Sequence, residues 1–252
     1  MTLLHSIQSE TLKIKRGATL YFTLLAAAIV PIIFLGDIHF GSGADESGAD
    51  LLNAIFTKSF RIMGSIFLPI FVIVVCTLLP QIEYRNNTWK QVFASPQSMA
   101  NVYLAKYLQV QALILLHIIA FNFYMWGVPF ITSLTHSELD IFRNTIDWRA
   151  ILVANINAWI SILAVTAVQF WLGLRFKSFL LPIGIGFTFW LVGIMLLDIR
   201  SSNANFFPYS FPVMSMFPDF KERLHLIQLR SGIYAAVILI IGFLDFHKRR
   251  RI

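Results

Sequence analysis

The sequence predicts an all-α polytopic membrane protein. It has six transmembrane helices, an amphipathic N-terminal helix at the membrane surface, a short cytoplasmic helix after the second span and a re-entrant segment before the last. Three observations predict this class. The chain of 252 residues is 57% hydrophobic and only 13% charged, whereas a soluble domain is about 45–50% apolar and about 25% charged. Its apolar residues gather into six runs, each near the roughly 20 residues that cross a hydrocarbon core. Its basic residues concentrate in alternate connections between those runs, as the positive-inside rule requires.

Residues 1–17 form the first unit. Leu3, Leu4, Ile7, Thr11 and Ile14 recur near helical spacing, with Lys13, Lys15 and Arg16 grouped at the end. That pattern suits a helix lying along the cytoplasmic surface. Residues 18–252 form the membrane domain, with spans at about 18–35, 62–79, 107–131, 150–173, 178–197 and 226–244. In lipid every backbone amide must be paired within its own segment, so each run reads as a helix. The first run follows basic residues but is long enough to span and lacks a small-residue cleavage site, so it reads as a span and not a signal peptide.

With the N-terminus inside, 12 of the 20 Lys and Arg fall on inner segments and 8 on outer ones. Both ends are basic, which requires an even number of crossings and places both termini in the cytoplasm. The net charge of +7 therefore reports topology. No basic patch interleaved with aromatics marks a nucleic-acid partner. The connection over 37–58 is acidic and Gly-rich and reads as a solvated loop; Asp45, Glu46 and Asp50 lack the spacing of an EF-hand.

Residues 201–228 read differently. Pro208, Pro212 and Pro218 stand among Phe206, Phe207, Tyr209, Phe211 and Phe217. The stretch is too apolar for a free loop and too broken by proline for a span. Short helices dipping back into the outer leaflet, or an interfacial aromatic anchor, both fit it. Arg230 interrupts the start of the sixth run, where a long side chain can snorkel to the interface.

The stretch over 81–106 is the most informative. Trp89, Val92 and Phe93 follow i, i+3, i+4 spacing, so a short helix there shows one apolar stripe. Ser95 and Pro96 read as an N-cap followed by proline at the first helical position. The third span then starts as a helix at Pro96, with Lys106 near the interface. A short apolar-faced helix held between two membrane helices can insert into a groove on a cytosolic partner.

The order Glu83, then Asn87-Thr88-Trp89-Lys90, then Ser95-Pro96, then Lys106 in Ala105-Lys106-Tyr107 resembles the intracellular signature of bacterial ATP-binding-cassette permeases of the type-2 exporter class. It is most similar to the small permeases of lantibiotic-immunity and bacitracin-export systems. The resemblance implies that the stretch after the second span is a coupling helix docked on a separate cytosolic ATPase. Glu83, Arg85, Thr88, Trp89, Lys90, Val92 and Phe93 would make that contact, with Trp89 and Phe93 as buried anchors. It also implies ATP bound by the partner and no cofactor on this chain, a second permease subunit, identical or related, and a place in the bacterial cytoplasmic membrane. Export of a peptide or lipid-like substrate follows from the same resemblance.

The sequence carries no chemistry of its own that competes with this reading. It has no Gly-x-x-x-x-Gly-Lys-Ser/Thr phosphate loop and no His-Glu-x-x-His zinc motif. Cys76 is the only cysteine, and the 6 His are scattered without metal-ligand spacing. Inside the spans, Gln109 and His117 share one face, as do Asn155 and Gln169. They are candidates for a translocation path, although hydrogen bonds between helices account for them better. An intramembrane enzyme or a non-transporting scaffold subunit are the alternatives; the first needs clustered His, Asp or Glu on facing helices, which the sequence does not display.

Overall fold

The structure is a computed structural model that describes residues 3–15, 17–40, 51–89, 91, 97–135 and 145–248. Every regular element among the described residues is helical. In chain order these are α1 (Leu3–Lys15), α2 (Ala18–Phe40), α3 (Leu51–Ile62), a π-helical turn (Met63–Phe67), α4 (Leu68–Arg85), α5 (Met99–Thr135), α6 (Trp148–Arg175), α7 (Leu180–Asp198), α8 (Phe211–Met216) and α9 (Leu224–Lys248). Six helices, counting α3 to α4 as one, are long and apolar enough to cross a membrane. This matches the number of runs in the sequence.

The spans outgrow their apolar cores. α5 has 37 residues and is about 55 Å long, well beyond a hydrocarbon core of about 30 Å. The acidic loop expected over 37–58 is correspondingly shorter. α2 continues through Asp37 to Phe40, and α3 begins at Leu51. The reason is local: Leu52, Ile55, Phe56 and Phe60 bury one face at helical spacing, so the helix extends outward despite Lys58 and Arg61. Asp45, Glu46 and Asp50 lie outside the described residues. The start of α5 also differs from expectation. Ser98, not Ser95, caps the described helix, its Oγ accepting from the Asn101 amide at 3.2 Å. Ser95 and Pro96 lie outside the described residues.

Packing follows from small residues and from one irregularity. α6 lies at the centre, packed on α9 and on α4, while α2 runs along α5. A β-carbon on Gly173 would sit 2.3 Å from the Cys76 carbonyl oxygen, so glycine alone permits this approach of α6 to α4. The π turn breaks the regular ladder and frees a carbonyl. Trp190 of α7 fills that vacancy, donating to the Ser65 carbonyl at 3.1 Å.

The segment between α7 and α9 is the re-entrant segment, folded as short helices back against the bundle. It forms short helices over Ser202–Phe206, Pro208–Ser210, α8 and Pro218–Arg223. Tyr209, Ser210, Phe211 and Met214 are buried. Gly193 of α7 meets the Tyr209 backbone, where a β-carbon would sit 2.9 Å away, and Ser210 donates to the Gly193 carbonyl at 3.3 Å. Arg230 does not interrupt the last helix. α9 runs unbroken from Leu224, and the Arg230 guanidinium donates to the Asn205 carbonyl at 2.7 Å while lying 4.6 Å over the Phe206 ring. The re-entrant segment supplies the polar partner that snorkelling would otherwise find in water.

α7 ends in a Schellman motif: the Ser201 amide donates to Leu196 at 2.9 Å and the Arg200 amide to Leu197 at 3.0 Å. The residue at the left-handed position is Arg200, with φ of 52°. Glycine is usual there, and an L side chain costs about 1–2 kcal/mol in that conformation. α4 ends the same way, with Asn87 at φ 52°, a residue that tolerates the region far better.

Candidate functional site

The face that carries both chain ends holds a closed ring of charges. α1 contributes Glu10 and Lys13, one helical turn apart; α4 contributes Glu83 near its end; α5 contributes Lys106 in its early turns. Lys106 Nζ lies 2.5 Å from Glu83 Oε1 and 3.0 Å from Glu10 Oε2. Lys13 Nζ lies 2.7 Å from Glu10 Oε1 and 3.0 Å from Glu83 Oε1. Signs alternate around the ring and sum to zero. The Glu83 and Lys106 side chains are 2% and 6% exposed, with Glu10 at 13% and Lys13 at 34%.

Burial opposes the charges on Glu10 and Lys13, and their partners reverse its effect. For Glu10, burial pushes the carboxyl up, but Lys106 and Lys13 together outweigh it and hold the group below its ordinary range. For Lys13, burial pushes the ammonium down, and Glu10 and Glu83 together raise it above its ordinary value. Glu83 Oε2 has no hydrogen-bond partner, so one oxygen of that carboxylate accepts from both ammonium groups.

Aromatic contacts tie the ring to the last helix. Lys106 Nζ lies 5.5 Å over Trp89. The Trp89 ring packs on Tyr84 at 5.2 Å and on Phe246 of α9 at 5.9 Å. Tyr103 of α5 touches Phe170, Phe243 and Phe246 and donates to the Leu239 carbonyl at 3.0 Å. Tyr84 donates to the Leu174 carbonyl at 2.7 Å and Gln81 to the Lys177 carbonyl at 3.1 Å. The end of α4 is therefore fastened to α1, α5, α6 and α9.

The residues named from the sequence fall into three groups. Glu83 is buried in the ring, Trp89 is half-buried and turned inward, and Arg85 and Thr88 stand at the surface or half-buried beside it. Lys90, Val92 and Phe93 lie outside the described residues. The polar span residues do not gather. Gln109 accepts from Thr11 of α1 at 3.2 Å. His117 is 1% exposed and stacks on Phe71 at 4.2 Å. Asn155 and Asn122 exchange hydrogen bonds at 2.8 and 3.2 Å, and Gln169 donates to the Tyr209 hydroxyl at 2.7 Å. Each is engaged by another helix of the same chain, or by the re-entrant segment.

Sequence reasoning missed the ring as a unit. Its signals were present: Glu10 and Lys13 as an i, i+3 pair, and Lys106 as a lone charge leading an apolar run. Their convergence with Glu83, 70 or more residues from the α1 pair, is tertiary.

Six membrane-length helices, an amphipathic helix fastened to the end of the second span and a re-entrant segment before the sixth define the architecture. Residues 6–193 match the family model described as ABC-2 family transporter protein. A search of curated proteins returns no match. The matched region takes in most of α1, the ring, the first four spans and most of the fifth; the chain belongs to the ABC-2 transporter family and is a multi-pass membrane permease of an ATP-binding-cassette transporter.

Proposed function

We propose that this chain is the membrane subunit of an exporter for a peptide or lipid-like amphiphile, driven by a separate cytosolic ATPase that binds the ATP. The observation that carries the coupling reading is the closed ring of Glu10, Lys106, Glu83 and Lys13 lying under Trp89. A buried ring of this kind breaks at high cost, so its members move together. A push on the stretch after α4 then reaches α1, α5 and, through Phe246, α9. In this reading Arg85, Thr88, Lys90, Val92 and Phe93 meet the ATPase, while Glu83 and Trp89 carry the displacement inward. ATP drives the cycle only if the two conformations of the complex bind it differently.

Both termini face the cytoplasm of a bacterial inner membrane, in keeping with the basic residues of the inner segments. Two permeases, identical or related, pair, and the substrate path runs between them. Gln109, His117, Asn155 and Gln169 set the positions of the helices that flank the path, since each already has a contact within its own chain.

Two variants test the coupling. Arg85→Glu with Phe93→Asp is expected to release the ATPase on co-purification. Glu83→Gln is expected to keep the ATPase bound while reducing peptide-stimulated ATP hydrolysis in proteoliposomes. A complex that survives the first change, or unaltered stimulation in the second, overturns the assignment. Export is tested with inverted vesicles: ATP is expected to drive a labelled amphipathic peptide into the lumen, and no uptake removes that part of the reading.

A further inference from the structure

At the face opposite the chain ends, the re-entrant segment and the end of α7 enclose an open cavity of about 850 Å³. Binding pockets for small molecules run roughly 300–1,000 Å³. Its floor is apolar: Ile194 and Leu197 of α7, Met214 of α8, and Phe217 and Phe220. Its rim carries two cations and two anions, Arg200 and Arg223 with Asp198 and Asp219.

These four charges are exposed at the rim. Glu10, Lys13, Glu83, Lys106, Arg175 and Asp245 are all ion-paired, and Arg61 and Arg230 lie over aromatic rings. Among the described residues, Asp198, Arg200, Asp219 and Arg223 have no ion pair, side-chain hydrogen bond or ring contact. Opposite charges stand close in the chain, at 198 and 200 and again at 219 and 223, yet they do not pair with one another. Arg200 also occupies the left-handed position of a Schellman motif, where glycine would close the helix with less strain. The guanidinium is held at the rim at the expense of backbone comfort.

Depth identifies the ligand. α7 has 19 residues and is about 28 Å long, close to the thickness of a hydrocarbon core. Its last residue, Asp198, and the following Arg200 therefore stand at headgroup level, with the apolar floor beneath them at the level of acyl chains. We propose that this cavity is a binding site for a zwitterionic phospholipid of the adjoining leaflet. Arg200 and Arg223 take the phosphate, Asp198 and Asp219 take the ammonium, and an acyl chain lies on the floor between α7 and α8. Charge-assisted hydrogen bonds to phosphate suit guanidinium groups, and the paired acids reject a lipid with phosphate and no amine. The site holds whether or not the coupling reading above is correct.

Native mass spectrometry of the full-length chain in detergent tests it, with phosphatidylethanolamine and phosphatidylglycerol of matched short chains as probes. The wild type is expected to bind phosphatidylethanolamine in preference to phosphatidylglycerol. Arg200→Gly with Arg223→Ala is expected to weaken that binding by about tenfold or more, the equivalent of one lost charge-assisted hydrogen bond. Asp198→Asn with Asp219→Asn is expected to erase the preference while leaving phosphatidylglycerol bound. Arg200→Gly alone serves as the folding control, because it relieves the helix end and is expected to keep or raise the melting temperature. Equal binding of the two lipids by the wild type, or undiminished binding by the double arginine variant, overturns the proposal.

Discussion

Glu83 accepts from two ammonium groups through one carboxylate oxygen, and its side chain is 2% exposed. Replacing it with leucine would leave Lys106 buried beside Glu10 alone. Breaking a buried pair on one side typically costs about 3–5 kcal/mol, so Glu83→Leu is expected to lower the unfolding midpoint sharply. Adding Lys106→Met is expected to recover much of the loss, because the stranded charge leaves with it. Denaturant titration of the single and double variants measures the difference, and equal midpoints would argue that water fills the ring. Arg200 gives the converse case. Arg200→Gly is expected to stabilise the protein by up to about 1–2 kcal/mol, a gain visible as a higher melting temperature. Only some of this was legible beforehand. Trp89 stood out by spacing and Glu83 through the family resemblance, but Lys13 read only as part of a basic group at the end of an amphipathic helix. Nothing in local spacing tells that a helix of 13 residues folds back onto the end of a span.

Amphipathic α1 is an element whose attachment depends on charge. It docks through Ser6 to Gln97 at 2.9 Å, Thr11 to Gln109 at 3.2 Å, and the ring. Glu10 has a lowered pKa in the fold, so its contribution is complete above the ordinary value of 4.5 and fades as pH falls through the folded value below it. Lys13 has a raised pKa, so its contribution is complete below 10.5 and fades as pH rises through the folded value above it. Docking is therefore firm between those limits. A spin label at the exposed Leu12 position is expected to be immobile at neutral pH and to gain mobility at the acidic end. Constant mobility through the titration of the folded Glu10 carboxyl would show that the ring does not hold α1. At this scale the sequence served well for span number and poorly for span ends. Hydropathy locates apolar cores, whereas Leu52, Ile55 and Phe56 extend α3 by a one-sided face that a charge count reads as loop. The cap at Ser98 was likewise hidden, because Ser95-Pro96 offered a stronger local signal three residues earlier.

For the whole molecule, the ring lies at one face and the lipid groove at the other, and α6 packs against elements that reach both. It meets α4 and α9, which close around the ring, and α8, which lines the groove. A tight backbone approach in that arrangement is Gly173 against the Cys76 backbone. The obstructing atom is a carbonyl oxygen inside a helix, so no rotamer change relieves a clash there. Gly173→Ala is expected to push α6 off α4 and to cost about 1–3 kcal/mol, the usual range for an overpacked core. Gly184 of α7 supplies the control, since nothing lies within 4 Å of a β-carbon placed on it. Gly184→Ala is expected to be neutral or stabilising by up to about 1 kcal/mol, the difference in helix propensity. The two substitutions are chemically identical and sit in neighbouring helices, so their contrast isolates the crossing itself. Unfolding midpoints in detergent give the comparison, and a Gly173→Ala protein as stable as Gly184→Ala would mean that the α4–α6 approach is not what holds the two faces together.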